Sequence, residues 1–199
     1  MKIKIGRITA NFGFPFFALA AYFLSGEMCM NYLYAVVFSS LHELGHLISL
    51  KIYGVKINSL SFDISGIKIE KSSVALSYES ECIVALSGPL INLILALFFC
   101  ALKTKNSNLI LPFNINIGLF IINMLPVGTL DGGRCLSCFL LKYFDENKAE
   151  KIRSVIEVVV AVLLVFVLVV TLIFDFFNTS FIFFTLSLVM VIVINLIKS

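Results

Sequence analysis

The sequence predicts an all-α polytopic membrane protein with six transmembrane helices and a small β-hairpin or sheet inserted between helices 2 and 3. Three observations predict it. Of 199 residues, 60% are apolar and 20 are Phe, and mean hydropathy is +1.04; soluble domains average roughly 45–50% apolar residues. Apolar runs of about 20 residues, the length that crosses a bilayer core as a helix, occur at six places. Between two of these runs, a more polar stretch alternates at every second residue, the period of a strand. The length suits a single domain, 1–199, without a sizeable soluble partner domain. A net charge of only +3 supplies no bulk basic field, so no nucleic-acid partner is expected.

The first run, 8–25, follows the basic "MKIKIGR". It has no small-x-small cleavage site leading into a soluble chain, so it reads as an anchor that stays rather than a signal peptide. The other runs lie at 31–53, 81–102, 108–126, 155–174 and 180–197, the last two separated by "DFFNT". With a cytoplasmic N-terminus, all 15 Lys and Arg fall on the inner side except Lys103 and Lys105. That bias sets the orientation and places both termini inside. In "GVKINSLSFDISGIKIEKSSVALSY", Val55 and Ile57, then Leu60, Phe62 and Ile64, then Ile67 and Ile69 alternate, with Gly66 at a turn. The five cysteines (Cys29, Cys82, Cys100, Cys135 and Cys138) are odd in number and scattered. They read as membrane packing rather than a disulfide framework. The Cys135-x-x-Cys138 pair reads the same way, as two small hydrophobes.

The stretch "SSLHELGHLISL" carries both histidines of the chain inside an apolar run. On a helix, His42 and His46 share one face, so both imidazoles reach the same ion. Glu43 projects about 100° away, near enough to handle a water at that ion. Ionisable groups in a span cost about 2.5–3.5 kcal/mol each on insertion scales, so they persist mainly where they function. Catalytic zinc takes three protein ligands and keeps one position open, and the chain has no third histidine. The second run is directed inward, which places the ion in the inner half of the membrane and excludes Glu27 and Asp175 by depth. The fourth run is also directed inward and leads into "NMLPVGTLDGGR". There Pro126 ends the helix, and Gly132-Gly133 allow unusual backbone beside an ion. Asp131 is therefore the third ligand expected, and Glu157, about one turn into the fifth run, is the weaker candidate. Gly45, inside the motif, predicts close approach of a neighbouring helix.

With these residues in hand, the chain resembles the site-2 protease family of intramembrane zinc metalloproteases. "HELGH" resembles the family's HExxH, which implies His42 and His46 as Zn²⁺ ligands and Glu43 as catalytic base. "NMLPVGTLDGG" resembles its Asn-x-x-Pro…Leu-Asp-Gly motif, which implies Asp131 as ligand and Asn123 and Pro126 as residues shaping the substrate site. "SGPLINL" resembles its Gly-Pro-x-x-Asn element, at Gly88, Pro89 and Asn92; Asn92 then becomes a further substrate-binding candidate, with close packing of the third helix as the other reading. The resemblance covers about 8–134, leaving a C-terminal helical pair at about 155–197. It implies cleavage of a membrane-anchored protein substrate in or near its membrane segment, in the bacterial cell membrane, with a regulatory membrane partner. The six-span layout is most similar to the sporulation-type bacterial branch, which processes a transcription-factor precursor. Two departures from the family pattern stand out. The loop before Asp131 has Gly128 and Thr129 where many members have prolines, which predicts a looser hold on Asp131. The chain also stops at Ser199 without the nucleotide-sensing domain common in that branch. A free edge of the predicted strands would pair with an unwound substrate; a hairpin that merely caps the bundle is the other reading. A membrane metal-ion transporter or sensor using the same His and Asp residues is the alternative function, and Glu43, a base that only hydrolysis needs, separates the two.

Overall fold

The computed structural model describes residues 2–5, 8–12, 29–63, 66–71, 76–103, 106–174 and 179–198. The chain forms two compact units, Met1–Ile121 and Ile122–Ser199.

In the first unit, strands β1 (Lys2–Ile5) and β2 (Ile8–Phe12) precede helix α1 (Cys29–Ile52). Strands β3 (Ile57–Asp63) and β4 (Gly66–Lys71) follow, then helix α2 (Tyr78–Leu102), a 3-10 turn at Ser107–Leu109 and helix α3 (Ile110–Asn123). The strands make one sheet in the order β1-β2-β3-β4. β1 and β2 are antiparallel, with Ile5 opposite Ile8. β2 and β3 are parallel, with Thr9 opposite Ser59 and Phe12 opposite Phe62. β3 and β4 are antiparallel, with Leu60 opposite Ile69 and a register shift between Ile57 and Ser59.

These findings correct the expected class. The chain is not all-helical: β1 and β2 occupy the N-terminal segment where the first anchor was expected to begin. The strands after α1 are not a small hairpin insertion of their own but half of a four-stranded sheet. The six-span count is replaced by three helices that are long and apolar enough to cross a membrane, Met30–Ile52, Tyr78–Leu102 and Glu146–Ile173, among the described residues. Shorter apolar helices lie at Ser107–Asn123 and Thr185–Ile194. The misreading has a physical source. "ITANF" merges into a longer apolar run, and hydropathy averaged over about 20 residues cannot distinguish a strand from the start of a helix. The remainder of the expected first span, 13–25, lies outside the described residues, as do Glu27 and Asp175.

Local signals set the ends of α1 and α2. At the end of α1, Gly54 takes φ +70°, the left-handed conformation that glycine enters without steric penalty. The Gly54 N–H donates to the Lys51 carbonyl and the Val55 N–H to the Leu50 carbonyl, at 3.0 Å each. This is a Schellman cap, completed by the apolar contact it usually carries: Leu50 and Val55 join Val84 in a buried cluster, with Tyr53 and Leu76 packed against it. At the start of α2, the Ser77 hydroxyl accepts from the Ser80 N–H, and Glu79 and Glu81 stand in the first turn, where carboxylates complement the helix dipole. The two helices approach closely at Gly45: a Cβ there would stand 2.6 Å from the Ser87 carbonyl oxygen.

The second unit holds helices α4 (Asp131–Tyr143), α5 (Glu146–Ile173) and α6 (Thr179–Lys198). Val127, Leu140, Ala149, Leu188 and Ile192 are buried, whereas Val158, Val162, Leu163 and Phe166 of α5 are exposed. So large an apolar helix surface suits contact with lipid rather than water. Cys82 and Cys135 are disulfide-bonded, while Cys100 and Cys138 are not. This corrects the expectation of packing cysteines only. A disulfide depends on a Cα separation of roughly 4.4–6.8 Å, which spacing along the chain does not reveal.

Candidate metal centre

Helix α1 carries His42, Glu43 and His46. Both imidazoles are buried, and each is fixed by a hydrogen bond from Nδ1. The His42 Nδ1–H donates to the Asn92 side-chain oxygen at 2.6 Å, and the His46 Nδ1–H donates to the Val84 carbonyl at 2.8 Å. Both acceptors come from α2. A neutral imidazole with its proton on Nδ1 presents a lone pair on Nε2, and the two Nε2 atoms stand 3.2 Å apart. Two lone pairs facing at that distance have no proton to share. They suit a common cation, since tetrahedral zinc with nitrogens at about 2.0–2.1 Å holds two of them roughly 3.3 Å apart.

Gly88 completes this half of the site. A Cβ there would press on His46 Nε2 and stand 2.7 Å from His42 Nε2, so only glycine leaves the two nitrogens clear. Pro89, one residue on, is buried within α2. Asn92 is 0% exposed, and its amide is fully engaged. Its oxygen accepts from His42, and its nitrogen donates to the Asn116 side-chain oxygen at 3.1 Å and to the Phe38 carbonyl at 3.5 Å. Asn116 on α3, also 0% exposed, donates in turn to the Pro112 carbonyl at 2.9 Å. Reading the sequence did not find Asn116. The available signal was an amide in an apolar helix, where an unpaired polar group is costly. Glu43, beside His42, is half-buried.

The second unit supplies Asp131. Asn123 ends α3, and the chain turns tightly about Pro126, with the Val127 N–H donating to the Leu125 carbonyl at 2.8 Å. Proline's fixed φ matches the centre of this three-residue turn. A β-turn follows, closed by Leu130 N–H to Val127 carbonyl at 2.8 Å. α4 then begins at Asp131, which is 7% exposed. Gly132 and Gly133 pack against the preceding segment so tightly that a Cβ on either would meet backbone. The nearest atoms include the Leu125 oxygen and the Gly128 nitrogen, each at 2.7 Å. The Arg134 guanidinium lies 3.7 Å from the Asp131 carboxylate. Asn123 and Pro126 are both half-buried. Glu157, the weaker ligand candidate, sits on α5 and is 2% exposed, accepting from the Gly128 N–H at 3.0 Å.

Among the described residues, His42, His46 and Asp131 are the group able to hold a metal ion, with one ligand atom from each within 4.8 Å of the others. The donor set of two imidazole nitrogens and one carboxylate oxygen fits Zn²⁺, whose catalytic sites take three protein ligands of these kinds.

Comparison with known proteins agrees with this chemistry. The model of peptidase family M50 matches residues 105–167, the stretch containing Asn123, Pro126, Asp131 and Glu157. A zinc metalloprotease of Methanocaldococcus jannaschii, MJ0392, is 30% identical over 122 residues, 57% of this chain. The chain spans about a third of that relative's length, 35%. A solved structure, the site-2 protease from Methanocaldococcus jannaschii, shares the fold: the TM-score is 0.63 at 21% identity, over 96% of this chain and 93% of that one. The chain is thus similar to peptidase family M50 over residues 105–167 and shares its fold with a solved site-2 protease.

Proposed function

We propose that the chain is an intramembrane zinc metalloendopeptidase that cuts a peptide bond in or near the membrane segment of a membrane-anchored protein. One observation carries the reading: two buried imidazoles, each with its Nδ1–H held by an acceptor from α2, bring their Nε2 atoms to 3.2 Å of each other on a helix that also carries Glu43. Zinc, when bound, polarises a carbonyl and lowers the pKa of a water, supplying a nucleophile at neutral pH. The chain's own groups do the rest. Glu43 takes the proton of the attacking water and returns it to the leaving amine. Asn92 and the Val84 carbonyl hold the imidazoles in register, a support that typically affects metal affinity 10–100-fold. Asn123 and Pro126 border the approach of the substrate, while Asn92, with its amide occupied, is assigned to positioning.

The setting is a lipid bilayer. Lys51 stands in the last turn of α1 and Lys56 follows it, and Arg134, Lys142, Lys148 and Lys151 lie between α3 and the apolar part of α5. This distribution supports a cytoplasmic location for those segments. The sporulation-type assignment depended on six spans and is not carried forward with the corrected fold. A regulatory membrane partner remains part of the proposal, and no nucleic-acid partner is included.

Replacement of Glu43 by Gln tests the reading and separates it from metal transport or sensing. Glu43→Gln is expected to retain zinc and fold while cleavage of a membrane-anchored reporter in reconstituted vesicles falls at least 100-fold, given the usual range for a lost general base. Cleavage at the wild-type rate by this variant would refute the proposed chemistry.

A further inference from the structure

The loop from Leu125 to Leu130 that delivers Asp131 is turned by its own backbone at Pro126 and at Val127–Leu130. Its Gly128 N–H, however, is directed out of both turns, to a carboxylate 29 residues away: Glu157 Oε1, at 3.0 Å. Glu157 lies on α5 among Val155, Val158 and Val159, all exposed, yet is itself 2% exposed. The nearest cation on its own helix, Arg153, holds its Nε 3.9 Å away, beyond hydrogen-bond range. That Nε is buried without a hydrogen-bond partner, while the same guanidinium reaches Glu150 at 3.3 Å through Nη2. The backbone amide is thus the close partner of Glu157, and Arg153 supplies only a longer-range opposite charge.

We propose that Glu157 is a positioning residue that clamps the Asp131 loop through the Gly128 N–H, so that helix α5 sets the metal affinity of a site it does not ligate. The inference rests on Asp131 being a metal ligand. It assigns Glu157 a task other than direct ligation. It also explains how a loop with glycine at 128, which lacks the stiffness of proline, is held: a proline there would have no N–H to offer.

The test uses the full chain in detergent micelles, titrated with Zn²⁺ against a competing chelator and with Co²⁺ for its ligand-field spectrum. Glu157→Gln keeps an acceptor oxygen at the same reach and is expected to bind Zn²⁺ within about threefold of wild type. Glu157→Asp keeps the charge but withdraws the oxygens by one methylene. It is expected to weaken binding about tenfold or more and to alter the Co²⁺ spectrum. The reverse order, Asp tolerated and Gln not, would show that charge rather than the tether matters and would overturn the proposal. So would wild-type affinity in both variants alongside loss of binding in Asp131→Ala, which would leave the ligand assignment standing. Wild-type affinity in Asp131→Ala would overturn both.

Discussion

At the scale of single residues, the site is decided by where protons sit. His42 and His46 each donate Nδ1–H to an acceptor from α2, and this leaves a lone pair on each Nε2 for a cation. Asn92→Leu removes the acceptor of His42 and leaves Asn116 with an unmet buried oxygen. It should weaken zinc binding about 10–100-fold, measured by chelator competition. Gly88→Ala should be worse, because its methyl would occupy the space in front of both Nε2 atoms; zinc content after purification checks this. The pairing of His42 with His46 was legible because a four-residue spacing is a local property of a helix. Asp131 was expected near them from the inward direction read for the fourth run and the Gly-Gly after it, and the ligand atoms of the three lie within 4.8 Å. Asn116 was not, because α3 offers Asn114, exposed, and Asn116, buried, and only tertiary packing chooses between them. The Glu157 tether joins residues 29 apart in sequence and leaves no periodic trace.

At the scale of elements, α1 and α2 form the scaffold for the imidazoles, and their close approach at Gly45 keeps Val84 and Asn92 within reach of the rings. Gly45→Ala should cost about 1–3 kcal/mol through overpacking, because the atom it meets is a backbone oxygen 2.6 Å away that cannot swing aside. Thermal unfolding of the variant in detergent should show the loss, and unchanged stability would mean that the helices do not approach as described. Helices α1, α2, α3, α5 and α6 overlap apolar runs, which are local signals, whereas the helix at Asp131–Tyr143 has no such run and was not anticipated. The sheet was only half readable. Alternation marks β3 and β4, but the parallel pairing of β2 with β3 links segments some 50 residues apart, and β2 is masked by the apolar residues that follow it.

At the scale of the whole molecule, the described residues include three apolar helices of membrane-crossing length, and the buried polar groups of His42, His46 and Asp131 are worth burying only if an ion repays their desolvation. Cysteine thiolates outside the disulfide make sulfur the main competitor for that ion, and sulfur and imidazole ligands differ by about 0.2–0.3 Å in bond length. The most direct measurement is X-ray absorption at the zinc edge of the zinc-loaded full chain in detergent. The predicted result is one zinc per chain with two imidazoles and otherwise oxygen, all at about 2.0–2.2 Å. A sulfur shell near 2.3 Å, or fewer than two imidazoles, would contradict the account.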